Sequence, residues 1–133
     1  MTMNIPITGF YAGLLTIFLF ILTIRIIQWR FKLKVGLGDG QQTPLIKAVR
    51  IHGNFIEYVP LALLLLAIYE LNSGNIFVLH SLGITLIVAR LAHAIGLTKT
   101  TGTSLYRQFG VLATFTVLLI LSVLNIFIFI LAF

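Results

Sequence analysis

Arg50, Asn54 and Glu57 recur at i, i+4 and i+7, so on a helix they share one face within roughly 60°. Lys47 lies one turn earlier on nearly the same stripe. Further along, Arg90 closes a long apolar run and His93 follows one turn later. A guanidinium offers a fork of donors, a carboxylate accepts, and a carboxamide does both. An ionised side chain at membrane depth is costly and usually pairs or lines a polar cavity. The chain has three acidic residues, and of these only Glu57 is placed to meet both Arg50 and Arg90. One reading is an internal ion-pair cluster that staples the two segments together. The other is a ligand site, because one carboxylate neutralises one arginine and the remaining cation invites an anion.

The segments that must position these groups are spans. Hydrophobic residues make up 59% of the 133, charged residues 9%, and mean hydropathy is +1.12. A soluble domain carries roughly 25% charge, which excludes an ordinary water-facing surface. A helix needs about 20 apolar residues to cross some 30 Å of hydrocarbon. Spans are predicted near 7–29, 46–70, 75–97 and 104–131, making one domain over 1–133: an all-α integral membrane four-helix bundle. The first is expected to be a retained span, since no basic residue precedes its apolar run. The second is unusual, for its uncharged stretch Tyr58–Tyr69 covers only about 18 Å. It crosses only if the helix extends back towards Arg50, which puts Asn54 and Glu57 inside the hydrocarbon zone. Pro60, one turn later, is expected to loosen the helix and free a carbonyl near the polar stripe.

Net charge is +6, but nine clustered basic residues in so apolar a chain read as interfacial anchors, not as a nucleic-acid surface. Arg25, Arg30, Lys32, Lys34 and Lys47 border the first connection, and Lys99 and Arg107 the third. The positive-inside rule makes these two connections cytoplasmic and both termini non-cytoplasmic.

The run Arg50-Ile-His-Gly-Asn54-Phe-Ile-Glu57-Tyr58-Val-Pro60 resembles the second-helix signature of the superfamily of membrane-associated proteins in eicosanoid and glutathione metabolism (MAPEG). Arg90-Leu-Ala-His93 is similar to its third-helix motif, and Arg107 falls near its fourth-helix arginine across a small length difference. The resemblance covers essentially the whole chain and is nearest to the short bacterial inner-membrane members. It implies a homotrimer with glutathione held between neighbouring subunits near the cytoplasmic side. Arg50, Asn54, Glu57 and Tyr58 match residues that hold the tripeptide, and Arg90 and His93 join them as candidate contacts. The chemistry suits: two carboxylates for arginines, an ammonium for Glu57, and amides for Asn54. Arg107, or Arg30, matches the arginine that stabilises the thiolate, since a neighbouring guanidinium lowers a thiol's pKa. Leu97 stands where several members place a ligand-contacting tyrosine.

The resemblance thus implies a glutathione transferase or peroxidase that takes glutathione as co-substrate and acts on a lipophilic electrophile entering from the bilayer. The alternative is a non-catalytic member that binds a lipid-like ligand or a membrane partner. Without cysteine, and with three scattered histidines, no metal centre is expected. His80, alone on an apolar span, is expected to bond a neighbouring helix. Tyr11, Tyr69 and Tyr106 read as interfacial belt residues, Tyr106 also lying beside Arg107. Gly9 and Gly13 would permit close helix packing. Gly36, Gly38 and Gly40 read as a flexible connection, having no preceding strand or nucleotide-motif spacing.

Overall fold

The computed structural model describes residues 4–132. Four helices occupy nearly all of them: α1 (Pro6–Leu33), α2 (Thr43–Leu71), α3 (Ile76–Lys99) and α4 (Leu105–Ala132). Each is long and apolar enough to cross a membrane. The helices begin and end within a few residues of the expected spans, the largest difference being four extra residues on α1. There a left-handed C-cap at Lys34 (φ 57°) ends the helix, with Val35 N donating to Arg30 O at 3.1 Å. This lets the helix continue past Trp29, where the apolar run stops.

α2 and α3 form the centre, and α1 and α4 flank them with no close backbone approach to each other. The tightest packing is α3 on α4, and glycines permit it. A Cβ on Gly110 would lie 2.6 Å from Ala89 O and 2.7 Å from His93 Cβ; one on Gly96 would lie 2.5 Å from Arg107 N. In lipid there is no hydrophobic drive between helices, so such close backbone approach is what packing relies on. Gly9 and Gly13, by contrast, face open space, because the α1 contact runs along Thr8, Tyr11, Leu15 and Leu22 instead.

Two of the expected belt tyrosines are core residues. Tyr11 is buried; its hydroxyl lies 2.8 Å from His80 Nδ1 on α3 and donates to His80 O at 3.2 Å, so His80 does bond a neighbouring helix. Tyr69 is buried too, its oxygen accepting from Asn75 N. Both polar ends find protein partners, so neither needs the lipid–water boundary. Pro60 leaves α2 continuous from Thr43 to Leu71.

The start of α1 depends on a distant residue. Pro6 occupies its first turn and no local side chain caps it. The Glu70 carboxylate, from the last turn of α2, accepts from Ile7 N (2.9 Å) and Thr8 N (2.7 Å). Anions are favoured at this positive end of the helix dipole. Glu70→Ala should therefore destabilise the protein by about 0.5–2 kcal/mol, read as a lower Tm in detergent. An unchanged Tm would show that water caps α1 equally well.

Candidate functional site

Lys47, Arg50, Asn54 and Glu57 line one stripe of α2, as their spacing requires, and face a cavity of about 370 Å³. His93 and Leu97 of α3, Thr101 of the α3–α4 connection and Arg107 of α4 complete the wall. The volume falls in the roughly 300–1,000 Å³ range of small-molecule sites. Gly96 brings Arg107 here by admitting the α4 backbone against α3. Three cations and one carboxylate share this space, and among the described residues no ion pair closes between them.

The expected Glu57–Arg90 ion pair does not form. Arg90 is 2% exposed and lies behind the cavity, held by neutral oxygens. Its Nη1 donates to Asn54 Oδ1 at 2.7 Å; its Nη2 donates to Gly110 O at 2.9 Å and to Thr114 Oγ1. Thr114 passes its own proton to Gly110 O. Glu57 points away from this contact, on the exposed side of α2. The staple between helices is therefore a charge–dipole network joining α2, α3 and α4.

This network sets the orientation of Asn54. Its oxygen is occupied by Arg90, so the Nδ2 amino group is left as the donor for the cavity. The wall then reads as donors at Lys47, Arg50, Asn54 and Arg107, with Glu57 as the single anionic acceptor. Lys47 is held in turn by Thr98 O at 3.2 Å. His93 is 4% exposed, lines the cavity, and has no hydrogen-bond partner among the described residues.

Three other candidates lie outside this cavity within one protomer. Tyr58, half-buried, packs edge-on against Phe115 of α4 with centroids 5.3 Å apart. Arg30 donates to Val35 O, Gly36 O and Gly38 O, which folds the α1–α2 connection over its guanidinium. Tyr106 carries the Lys99 ammonium over its ring at 5.1 Å. Sequence reasoning missed Gly110 and Thr114. The signal was present: Gly110, Thr114, Val117 and Leu121 are the buried positions of α4, at the i, i+4, i+7, i+11 spacing of a helix seam.

A four-span membrane protein with a mixed-charge polar cavity between its helices is the class these features define. The sequence model of the MAPEG family matches residues 8–127, and the chain belongs to that family. It is 32% identical over 120 residues to inner membrane protein YecN of Escherichia coli (strain K12), covering 90% of each chain. The protein of the same name from Escherichia coli O6:H1 is similar to the same extent. No solved structure matches the chain.

The orientation of Asn54 can be tested by stability alone. Asn54→Ala removes one acceptor from the buried Arg90 cation and should cost about 1.5–3 kcal/mol, the worth of a hydrogen bond to a charged group. Asn54→Asp keeps that oxygen and adds a counter-ion, so its Tm in ligand-free protein should equal or exceed the wild type. A Tm for Asn54→Asp as low as for Asn54→Ala would mean that Arg90 does not use this oxygen.

Proposed function

We propose that the chain binds glutathione in the cavity between α2, α3 and α4 and acts as a membrane glutathione transferase or peroxidase towards lipophilic electrophiles. The observation that carries this reading is the composition of the wall: three cations and a fixed amide donor around one carboxylate. Glutathione has two carboxylates, one ammonium and two amides, so its carboxylates suit Lys47 and Arg50, its ammonium suits Glu57, and a peptide carbonyl suits Asn54 Nδ2, which leaves Arg107 for the sulfur. Family membership supports the same ligand, and the inner-membrane name of the relatives supports an inner-membrane location. The basic residues clustered at the α1–α2 and α3–α4 connections favour cytoplasmic placement of that end, with both termini opposite.

The proposed assembly is a homotrimer. Arg50 and Glu57 are exposed on the protomer surface of a helix read as spanning, where lipid contact would be costly. A neighbouring copy covers them and supplies further ligand contacts, Tyr58 and Arg30 being the candidates left outside the protomer's own cavity. Native mass measurement in mild detergent should give three copies. Calorimetric titration should show glutathione affinity falling roughly ten-fold to a hundred-fold in Arg50→Ala, Glu57→Ala and Asn54→Asp. Undiminished binding in these variants, or binding by a clean monomer, would overturn the shared site.

For thiol activation the residue proposed is Arg107, which borders the cavity as Arg30 does not. In the transferase reaction the glutathione thiol gives its proton to solvent, and the sulfur then attacks the ring carbon of a halogenated aromatic electrophile, forming the C–S bond as the carbon–halogen bond breaks and halide leaves to solvent. The guanidinium stabilises the thiolate and so raises the reactive fraction at neutral pH. Arg107→Leu should leave affinity within a few-fold but lower conjugation of an aromatic electrophile by about 10²–10³. Arg30→Leu should lower it less. Equal rates in wild type, Arg107→Leu and protein-free micelles would replace the enzyme with a binding protein.

A further inference from the structure

On the other side of the molecule a groove of about 310 Å³ runs between α1 and α3, walled by Phe18, Leu22, Leu91 and Ile95, with Arg25 and Lys99 at one end. It adjoins a wider recess on α1 that shares Arg25 and adds Trp29 and Lys32. Arg25 lies eight residues before the end of α1, about 12 Å down the helix axis, level with the last turn of α3. Its Nη1 donates to Thr98 Oγ1 at 2.9 Å, while Thr98 gives its own proton to Ala94 O. The guanidinium is thus held in place with four of its five N–H donors free of partners among the described residues. Lys32 and Lys99 are steadied over the Trp29 and Tyr106 rings, each at 5.1 Å.

No carboxylate of this chain is placed to answer these cations. Asp39 is in the α1–α2 connection, bonded to Gln41 N; Glu57 lines the other cavity; Glu70 caps α1 at its opposite end. A second copy of the chain would bring the same three and is a poor occupant. We propose that this groove is a binding site for an anionic glycerophospholipid. One acyl chain lies along Phe18, Leu22, Leu91 and Ile95, and the phosphate accepts hydrogen bonds from Arg25 between Lys32 and Lys99. The apolar wall inside the span, ending at a fixed donor fork with surplus positive charge, matches that amphiphile and no soluble anion. The site is separate from the glutathione cavity, and its test does not depend on that reading.

Trp29 is the only tryptophan and lines the adjoining recess one turn beyond Arg25, so it reports occupancy. The full chain would be reconstituted into phosphatidylcholine vesicles with increasing brominated phosphatidylglycerol or, separately, brominated phosphatidylcholine, and Trp29 quenching measured. The anionic lipid should be preferred by about five-fold or more, the factor one basic residue supplies near a membrane surface. Arg25→Gln and Lys99→Gln should each reduce the preference several-fold, while Lys34→Gln, which removes the same charge outside the groove, should keep it. Helicity by circular dichroism confirms folding; Lys99 is exposed, so its variant carries the test if Arg25→Gln misfolds. Equal quenching by both lipids would reduce the groove to ordinary lipid contact and overturn the proposal. Absence of quenching by either would mean that protein covers it. An equal loss in Lys34→Gln would mean diffuse surface charge, and displacement by millimolar glycerol phosphate would mean a free-anion site.

Discussion

A buried guanidinium without a counter-ion is the constraint around which this bundle is built. Arg90 stays charged at membrane depth because a carboxamide, a backbone carbonyl and a hydroxyl, each from a different place on α2 or α4, aim oxygens at it. A guanidinium's planar fork suits several acceptors at once, and in a low-dielectric interior each of these contacts is strong while an orphaned partner is costly. The network therefore fixes α2, α3 and α4 relative to one another. It also leaves Glu57 uncommitted, which a direct ion pair would not have done.

That distribution explains what was legible beforehand. Four spans were readable because apolar runs of that length have few other uses, and Arg50, Asn54 and Glu57 share a face because their spacing is helical. The pairing of Arg90 was not readable, since charge counting favours a carboxylate over three neutral oxygens. Two of those oxygens come from Gly110 and Thr114, which look like ordinary small residues of a span. The role of Glu70 was hidden for a related reason. It serves backbone N–H groups 62 and 63 residues away, and backbone leaves no mark in sequence. Tyr11 and Tyr69 misled because an amphipathic ring looks the same whether its hydroxyl meets water or another helix.

The same economy of acids divides the molecule into two chemically different flanks. On the α2–α4 flank, cations face a carboxylate across a polar cavity. On the α1–α3 flank, cations stand at the end of an apolar groove with none. The two flanks meet at Thr98: its hydroxyl accepts from Arg25 and its carbonyl from Lys47. Both bonds place positive charge against the last turn of α3, the end of a helix that attracts it. Thr98 thus ties together two recesses that share no lining side chain.

The cap on α1 has a consequence for biogenesis. α1 is made before α2 and has no local group for its leading N–H donors, and the carboxylate that serves them is encoded 63 residues later. At about 5–20 residues per second of synthesis, α1 waits roughly 3–13 s with that end unsatisfied. Until α2 has formed and brought Glu70 back to that end of α1, the tip of α1 must stay in contact with water or the insertion machinery. The first hairpin, not the first helix, is then the smallest piece of this chain that can settle in the bilayer.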